Sequence, residues 1–310
     1  GTSIQAAIAF TEIERRLGRD LPLSILFAAG NVRALLEVLD EPAEQDSPLV
    51  TIQRLGKRPP VLACPGIGGN VVGMAGIARA LGDAQPFFGL QQAGVFDADA
   101  DAMTVPELAS AYMSASESVR AGPVVLLGIC FGANVVLDMA RQLTEQGQPP
   151  ALVIVMDPVY DDAARPTGPD PSLRGFLRDR LRLYAENYRS LQPAERREWL
   201  RDKRRALWNK VWQGDLLRGN RFEIRQRRVE AANIAAARDY YPRRYEGQTR
   251  ILLTADRVLD LAEDPRQRWV MMVAPDAEVA MVPGIDTGDA LARHAPVVAD
   301  RLRRWIDEFA

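Results

Sequence analysis

Histidine is almost missing from this chain: His294 is the single one in 310 residues. Cysteine is nearly as scarce, with only Cys64 and Cys130. No metal cofactor is expected from so few ligands. The two thiols could pair, but without secretion features they are expected to stay reduced, in a cytoplasmic protein. No apolar run approaches the ~20 residues of a membrane span, so no membrane association is expected. The opening residues G-T-S-I-Q-A carry neither the charged nor the apolar region of a signal peptide. A chain that opens this way can be a piece of a longer protein, so that absence says little about what precedes it. Net charge is −2, which argues neither for nor against a nucleic-acid partner.

What is present is ordinary for a globular protein: 47% hydrophobic and 26% charged residues. The length fits one large α/β domain or a domain with an appendage.

The most informative stretch is V-V-L-L-G-I-C-F-G-A-N-V-V, Val124 to Val136. An apolar run stops at a glycine-flanked Cys130 and resumes as a helical pattern through Val135, Leu137, Met139 and Ala140. A strand, a sharp turn and a helix with a nucleophile at the apex form the G-x-S-x-G elbow of an α/β-hydrolase, here with Cys for Ser. The apex residue is strained, so positions −2 and +2 must be small enough for strand and helix to pass.

Around the elbow the order is hydrolase-like. Strands are expected in P-L-V-T-I-Q, P-P-V-L-A-C-P-G, P-F-F-G-L-Q, A-L-V-I-V-M-D-P, R-I-L-L-T-A-D and E-V-A-M-V-P-G. Helices are expected over Val72–Leu81, Val105–Val119, Trp269–Met272 and Val297–Phe309. Near-continuous apolar strands separated by helices imply a parallel sheet covered on both faces. Residues of about 161–245 interrupt the alternation as a helical lid. Between 165 and 250 there are 22 Lys and Arg against 11 Asp and Glu. Those basic helices read as a solvated face, or as arginines turned inward to clamp an anionic substrate group. Without a recognised nucleic-acid module they do not argue for nucleic-acid binding.

Residues 1–40 read as a separate helical unit, joined by the polar linker 41–48 to a catalytic domain at 49–310. Ser3 starts a helix, then L-P-L-S-I-L-F and a Val32–Leu36 helix follow. This resembles the C-terminal part of an acyl or peptidyl carrier domain. The resemblance implies a phosphopantetheine arm on Ser3, where a helix N-terminus would favour the phosphodiester. As a partial domain it is not expected to fold well by itself. The alternative for Ser3 is a plain helix N-cap.

A thiol nucleophile needs a base, an orienting carboxylate and an oxyanion hole. Asp157 ends the strand after the elbow helix, and Asp256 ends the next one; Asp157 is the first candidate acid and Asp256 the second. The oxyanion hole is expected from the Phe131 amide and from Gly66 or Ile67 in the turn C-P-G-I-G-G-N. Cys64 reads as a small strand-end residue.

These segments, with G-L-Q-x-x-G, M-A-R-Q-L and A-N-I-A-A-A-R-D-Y-Y-P-R-R-Y-E-G, are similar to type I thioesterase domains that end nonribosomal peptide or polyketide assembly lines. The resemblance covers nearly all of 49–310. It implies a peptidyl thioester on the carrier as substrate and upstream assembly-line modules as partners. One departure stands out: the family's catalytic His lies two residues after V-P-G, where this chain has Asp286. His294, eight residues further, is the candidate base, reaching Cys130 with the loop Ile285–Ala292 rearranged, and Asp286 is the fallback. An acyl-cysteine keeps the thioester's activation, and some cysteine-bearing members of the family are associated with β-lactone and β-lactam release. The expectation is therefore release by closure of a small strained ring. Hydrolysis or macrocyclisation is the alternative, and a non-catalytic carrier-docking domain is the alternative from another class.

Overall fold

The computed structural model describes residue 16 and residues 47–92, 102–158, 221–255, 265–284 and 286–309. The carrier-like segment with Ser3, the linker up to 46, the lid from 161 to 220 and Asp256 lie outside the described residues.

Strands β1 (Leu49–Gln53), β2 (Val61–Cys64), β3 (Phe87–Leu90), β4 (Val125–Ile129), β5 (Leu152–Met156), β6 (Thr249–Thr254) and β7 (Glu278–Val282) join in one sheet. Their order is β1-β3-β2-β4-β5-β6-β7. The edge strand β1 runs antiparallel to β3, and every other pairing is parallel. Every residue of β2, β3, β4 and β5 is buried, which is why these strands read as unbroken apolar runs.

The helices among the described residues are α1 (Ala75–Leu81), α2 (Val105–Ala115), α3 (Gly132–Glu145), α4 (Arg221–Asp239), α5 (Pro265–Val273), α6 (Thr287–Arg293) and α7 (Ala295–Asp307). Alternate strand residues feed two cores. Leu62, Leu126, Val153 and Ile251 pack with α2, α3 and α5. Val61, Val125, Ile154 and Leu252 pack with α1 and α7. Each core holds one fully buried tryptophan, Trp269 and Trp305 respectively, and truncating either to alanine would cost on the order of 3–5 kcal/mol. The Trp269 indole N–H donates to Asn134 Oδ1 on α3 at 2.8 Å, tying α5 to the elbow helix.

Three elements differ from the sequence reading. The first turn of the helix from Val72 is a 3-10 turn, Val72–Met74. The helix expected to reach Val119 stops at Ala115, where the buried Ser116 hydroxyl bonds back to Tyr112 O at 2.7 Å and competes with the helical ladder. The segment after β7, read as a loop through Ala292, contains α6, whose N-cap is Asp286.

Candidate active site

Cys130 and Asp157 are the only non-glycine residues with positive φ among the described residues, at 52° and 45°. Both sit at the C-terminal ends of adjacent parallel strands, β4 and β5. Such backbone costs on the order of 1–3 kcal/mol per residue and marks places the surrounding structure holds deliberately. The Cys130 N–H donates to Met156 O at 2.8 Å, and its carbonyl accepts from Ala133 N at 3.1 Å. The flanking glycines are there for close passage. A Cβ on Gly128 would lie 2.4 Å from Val136 Cγ2, and one on Gly132 would lie 2.5 Å from the carbonyl oxygens of Cys64 and Pro65. The thiol therefore stands at the start of α3, where opening amides lack intrahelical acceptors and the dipole favours a negative charge.

Within the turn after β2, Gly66 is the glycine that approaches Cys130. A Cβ on Gly66 would lie 3.6 Å from Cys130 Cβ. Gly68 and Gly69 have a different reason to be glycine: Cβ atoms there would lie 2.9 Å from Gln226 Nε2 and 2.7 Å from Val229 Cγ1, both on α4. The turn closes on itself by Gly69 N–H donating to Gly66 O at 3.0 Å. Across it lies Asn233 of α4, whose Nδ2 donates to Ile67 O and to Gln92 Oε1, each at 2.8 Å. Asn233 Oδ1 is buried with no hydrogen-bond partner, a desolvation cost of about 1–3 kcal/mol.

The Asp157 carboxylate is fully engaged, and no imidazole takes part. Its Oδ1 accepts from Arg266 Nη1 at 2.7 Å, Thr254 N at 2.9 Å and Thr254 Oγ1 at 3.1 Å. Its Oδ2 accepts from Thr287 Oγ1 at 2.8 Å. The Arg266 and Asp157 side chains are both less than a tenth exposed, so this is a buried ion pair. It ties the ends of β5 and β6 to α5 and to the start of α6.

His294 is the junction between α6 and α7, donating its N–H to Ala290 O and accepting from Val297 N and Val298 N. Its Nε2 stands 4.0 Å from Asp289 Oδ2. The hydrogen-bond partners of the Asp157 carboxylate are Arg266, Thr254 and Thr287 rather than this imidazole. Asp286, the fallback base, accepts from Asp289 N at 2.8 Å as the cap of α6.

Cys64 is buried, and burial pushes its thiol well above the usual range; it is not bridged to Cys130. Glu230 lies one turn beyond Gln226 on α4, and burial raises its carboxyl against the lowering effects of Arg227 and Gln226. Asn233, Gln92, Arg266, Thr254 and Thr287 were all missing from the sequence reading. Asn233 stood in A-N-I-A-A-A-R, Gln92 in G-L-Q-x-x-G and Thr254 in R-I-L-L-T-A-D, all segments already singled out, whereas Arg266 and Thr287 carried no such signal.

Residues 59–187 match the thioesterase domain family. The chain is 33% identical over 150 residues to indigoidine synthase of Dickeya dadantii (strain 3937), covering 48% of this chain and 10% of that protein. It thus spans about a tenth of the length of that relative. Among solved structures it resembles a holo four-domain nonribosomal peptide synthetase, AB3403, with TM-score 0.65 and 21% identity over 98% of this chain and 24% of that one. It also resembles the NocB thioesterase domain in covalent complex with a fluorophosphonate nocardicin G analogue, with TM-score 0.57 and 23% identity over 80% of this chain and 95% of that one. The likeness to solved thioesterase domains shows the α/β-hydrolase fold, and residues 59–187 carry the thioesterase family match within it.

Proposed function

We propose that this domain takes a peptidyl chain from a carrier phosphopantetheine thiol onto Cys130 and releases it. The observation that carries the reading is Cys130 itself: a thiol in left-handed backbone at the elbow apex, beside Gly66 and at the opening of α3. In the first step the Cys130 thiolate attacks the thioester carbonyl, the tetrahedral oxyanion forms, and the pantetheine thiolate leaves and takes up a proton. The amides of Phe131 and of Gly66 or Ile67 are the proposed donors to that oxyanion. A carrier segment ahead of residue 49, with its phosphopantetheine arm on Ser3, is proposed to present that chain.

Cysteine explains how acylation proceeds without an acid–imidazole pair. A serine hydroxyl needs a base to ionise it, whereas a few per cent of an ordinary thiol is thiolate at pH 7, and a helix N-terminus raises that share. Acyl transfer between two thiols is also nearly isoenergetic, so the acyl-enzyme keeps its activation. The release step still needs a proton acceptor. Asp157 is ion-paired and Asp286 caps a helix, so His294, next to Asp289, is the proposed base for the attacking nucleophile.

Retained activation favours release by an amine or hydroxyl of the chain closing a small strained ring, a β-lactam or β-lactone. Orientation lowers barriers by about 7–11 kcal/mol but moves no equilibrium, so it cannot replace the thioester's driving force. Incubating the full chain with a synthetic peptidyl thioester tests both levels. An acyl adduct on Cys130 and a cyclic product are expected. Linear acid as the only product contradicts ring closure. No adduct on Cys130 contradicts the release reading and favours a domain that only docks the carrier.

A further inference from the structure

We propose that Asn233, on the helix leaving the lid, is a positioning residue that sets the oxyanion hole. The inference rests on the reading of the Gly66–Ile67 turn as part of that hole. The Ile67 amide can be aimed only if the peptide planes on both sides of Ile67 are fixed. Gly66 O, on the plane that carries the Ile67 N–H, is held by Gly69 N–H at 3.0 Å. In a trans peptide the N–H points opposite to that carbonyl, hence out of the turn. The next carbonyl, Ile67 O, is held by Asn233 Nδ2 at 2.8 Å.

The same Nδ2 reaches Gln92 Oε1 at 2.8 Å, and Gln92 N–H donates to Gly69 O at 3.0 Å. The polar groups thus close a ring: Gly66, Gly69, Gln92, Asn233, Ile67. Four of its members are turn residues or Gln92, the second residue after β3. The fifth comes from α4, more than 140 positions away in sequence. Asn233 is 1% exposed, and its carbonyl oxygen goes without a donor while the amide serves the turn. Gln226 and Val229 seat the same face of α4 against Gly68 and Gly69, too closely for any side chain there. Helix α4 and the turn that carries the oxyanion donor are therefore held in one polar network.

The test compares two reactions of Cys130 in the full chain. Acylation by a peptidyl N-acetylcysteamine thioester needs the oxyanion hole; alkylation by iodoacetamide needs only the thiolate. Asn233→Asp keeps the shape but presents oxygens to Ile67 O, and Asn233→Ala removes the contact. Both are expected to slow single-turnover acylation at least about tenfold, through kcat with KM little changed, since one oxyanion donor is worth roughly 10²–10³ in rate. Alkylation is expected to stay within about twofold of wild type. Wild-type acylation in both variants overturns the proposal. So does a parallel loss of both reactions, or failure of both variants to fold, since either means a structural role. A wild-type chain that alkylates but never acylates removes the release reading and this proposal with it, and differs from the other outcomes by showing in the wild type.

Discussion

Along the C-terminal edge of the sheet, the ends of β2 and β4 and the ends of β5 and β6 are built on opposite plans. At β2 and β4 a strained cysteine faces a turn whose polar groups are organised from outside by Asn233. At β5 and β6 a strained aspartate is closed on Arg266, Thr254 and Thr287. Both halves hold residues that sequence spacing nominates for one catalytic triad, Cys130 in the first and Asp157 in the second. The second is a knot that holds α5 and α6 to the sheet. A nucleophile that ionises unaided can keep working when the acid beside it becomes structural; a serine could not.

The sharpest way to break that contrast is Cys130→Ser. If acylation relies on a thiolate made without an acid–imidazole pair, serine should lose about 10²–10⁴ in single-turnover acylation, the usual worth of general base catalysis. A serine variant within tenfold of wild type would mean that a working base stands beside position 130. Next in size is thiol selectivity. Iodoacetamide at neutral pH should label Cys130 and leave Cys64 untouched until the chain is unfolded, because burial holds Cys64 protonated. Peptide mapping after timed quenching reads this directly.

The reading from sequence succeeded where one local pattern determines the outcome. Strands β2 to β5 are apolar at every residue because both faces are covered, and the Cys130 elbow is written in Gly128 and Gly132, whose missing side chains let α3 pass β4. It failed where the deciding partner is distant. Nothing in P-R-Q-R-W distinguishes Arg266 from a solvated helix arginine, yet it meets Asp157 across 109 positions. Asn233 likewise looks like a poor helix former in an alanine-rich run. Gly68 and Gly69 stand in the turn expected to hold the oxyanion donors, and their missing side chains make room for α4. One miss was avoidable: Asp286 followed by Asp289 in the first turn is an N-cap signal, and it places α6 where a loop was expected.

The knot itself is tested by stability. Arg266→Met leaves Asp157 buried and unpaired, for an expected loss of about 3–5 kcal/mol in urea unfolding; the double variant Arg266→Met with Asp157→Leu should recover much of it. Equal stability of the single variant would show that the pair is not a structural tie. The smallest effect concerns alkaline pH. Burial raises the Cys64 thiol in the folded chain, and burial with Asp138 raises Tyr240. Above the ordinary thiol range, near pH 8.5, the unfolded chain loses the Cys64 proton while the folded chain keeps it, so stability falls as pH rises. Cys64→Ala should move the onset of that fall toward pH 10, where tyrosine ionises, as thermal unfolding across pH would show.

In the proposed mechanism acylation of Cys130 needs no imidazole, while release does. Single-turnover mass spectrometry of His294→Ala with a peptidyl thioester tests it directly. The prediction is acyl-enzyme formation within about threefold of wild type, followed by accumulation of the adduct as release slows by roughly 10²-fold or more. Loss of acylation in the same measurement would contradict it and return His294 to the nucleophile's side.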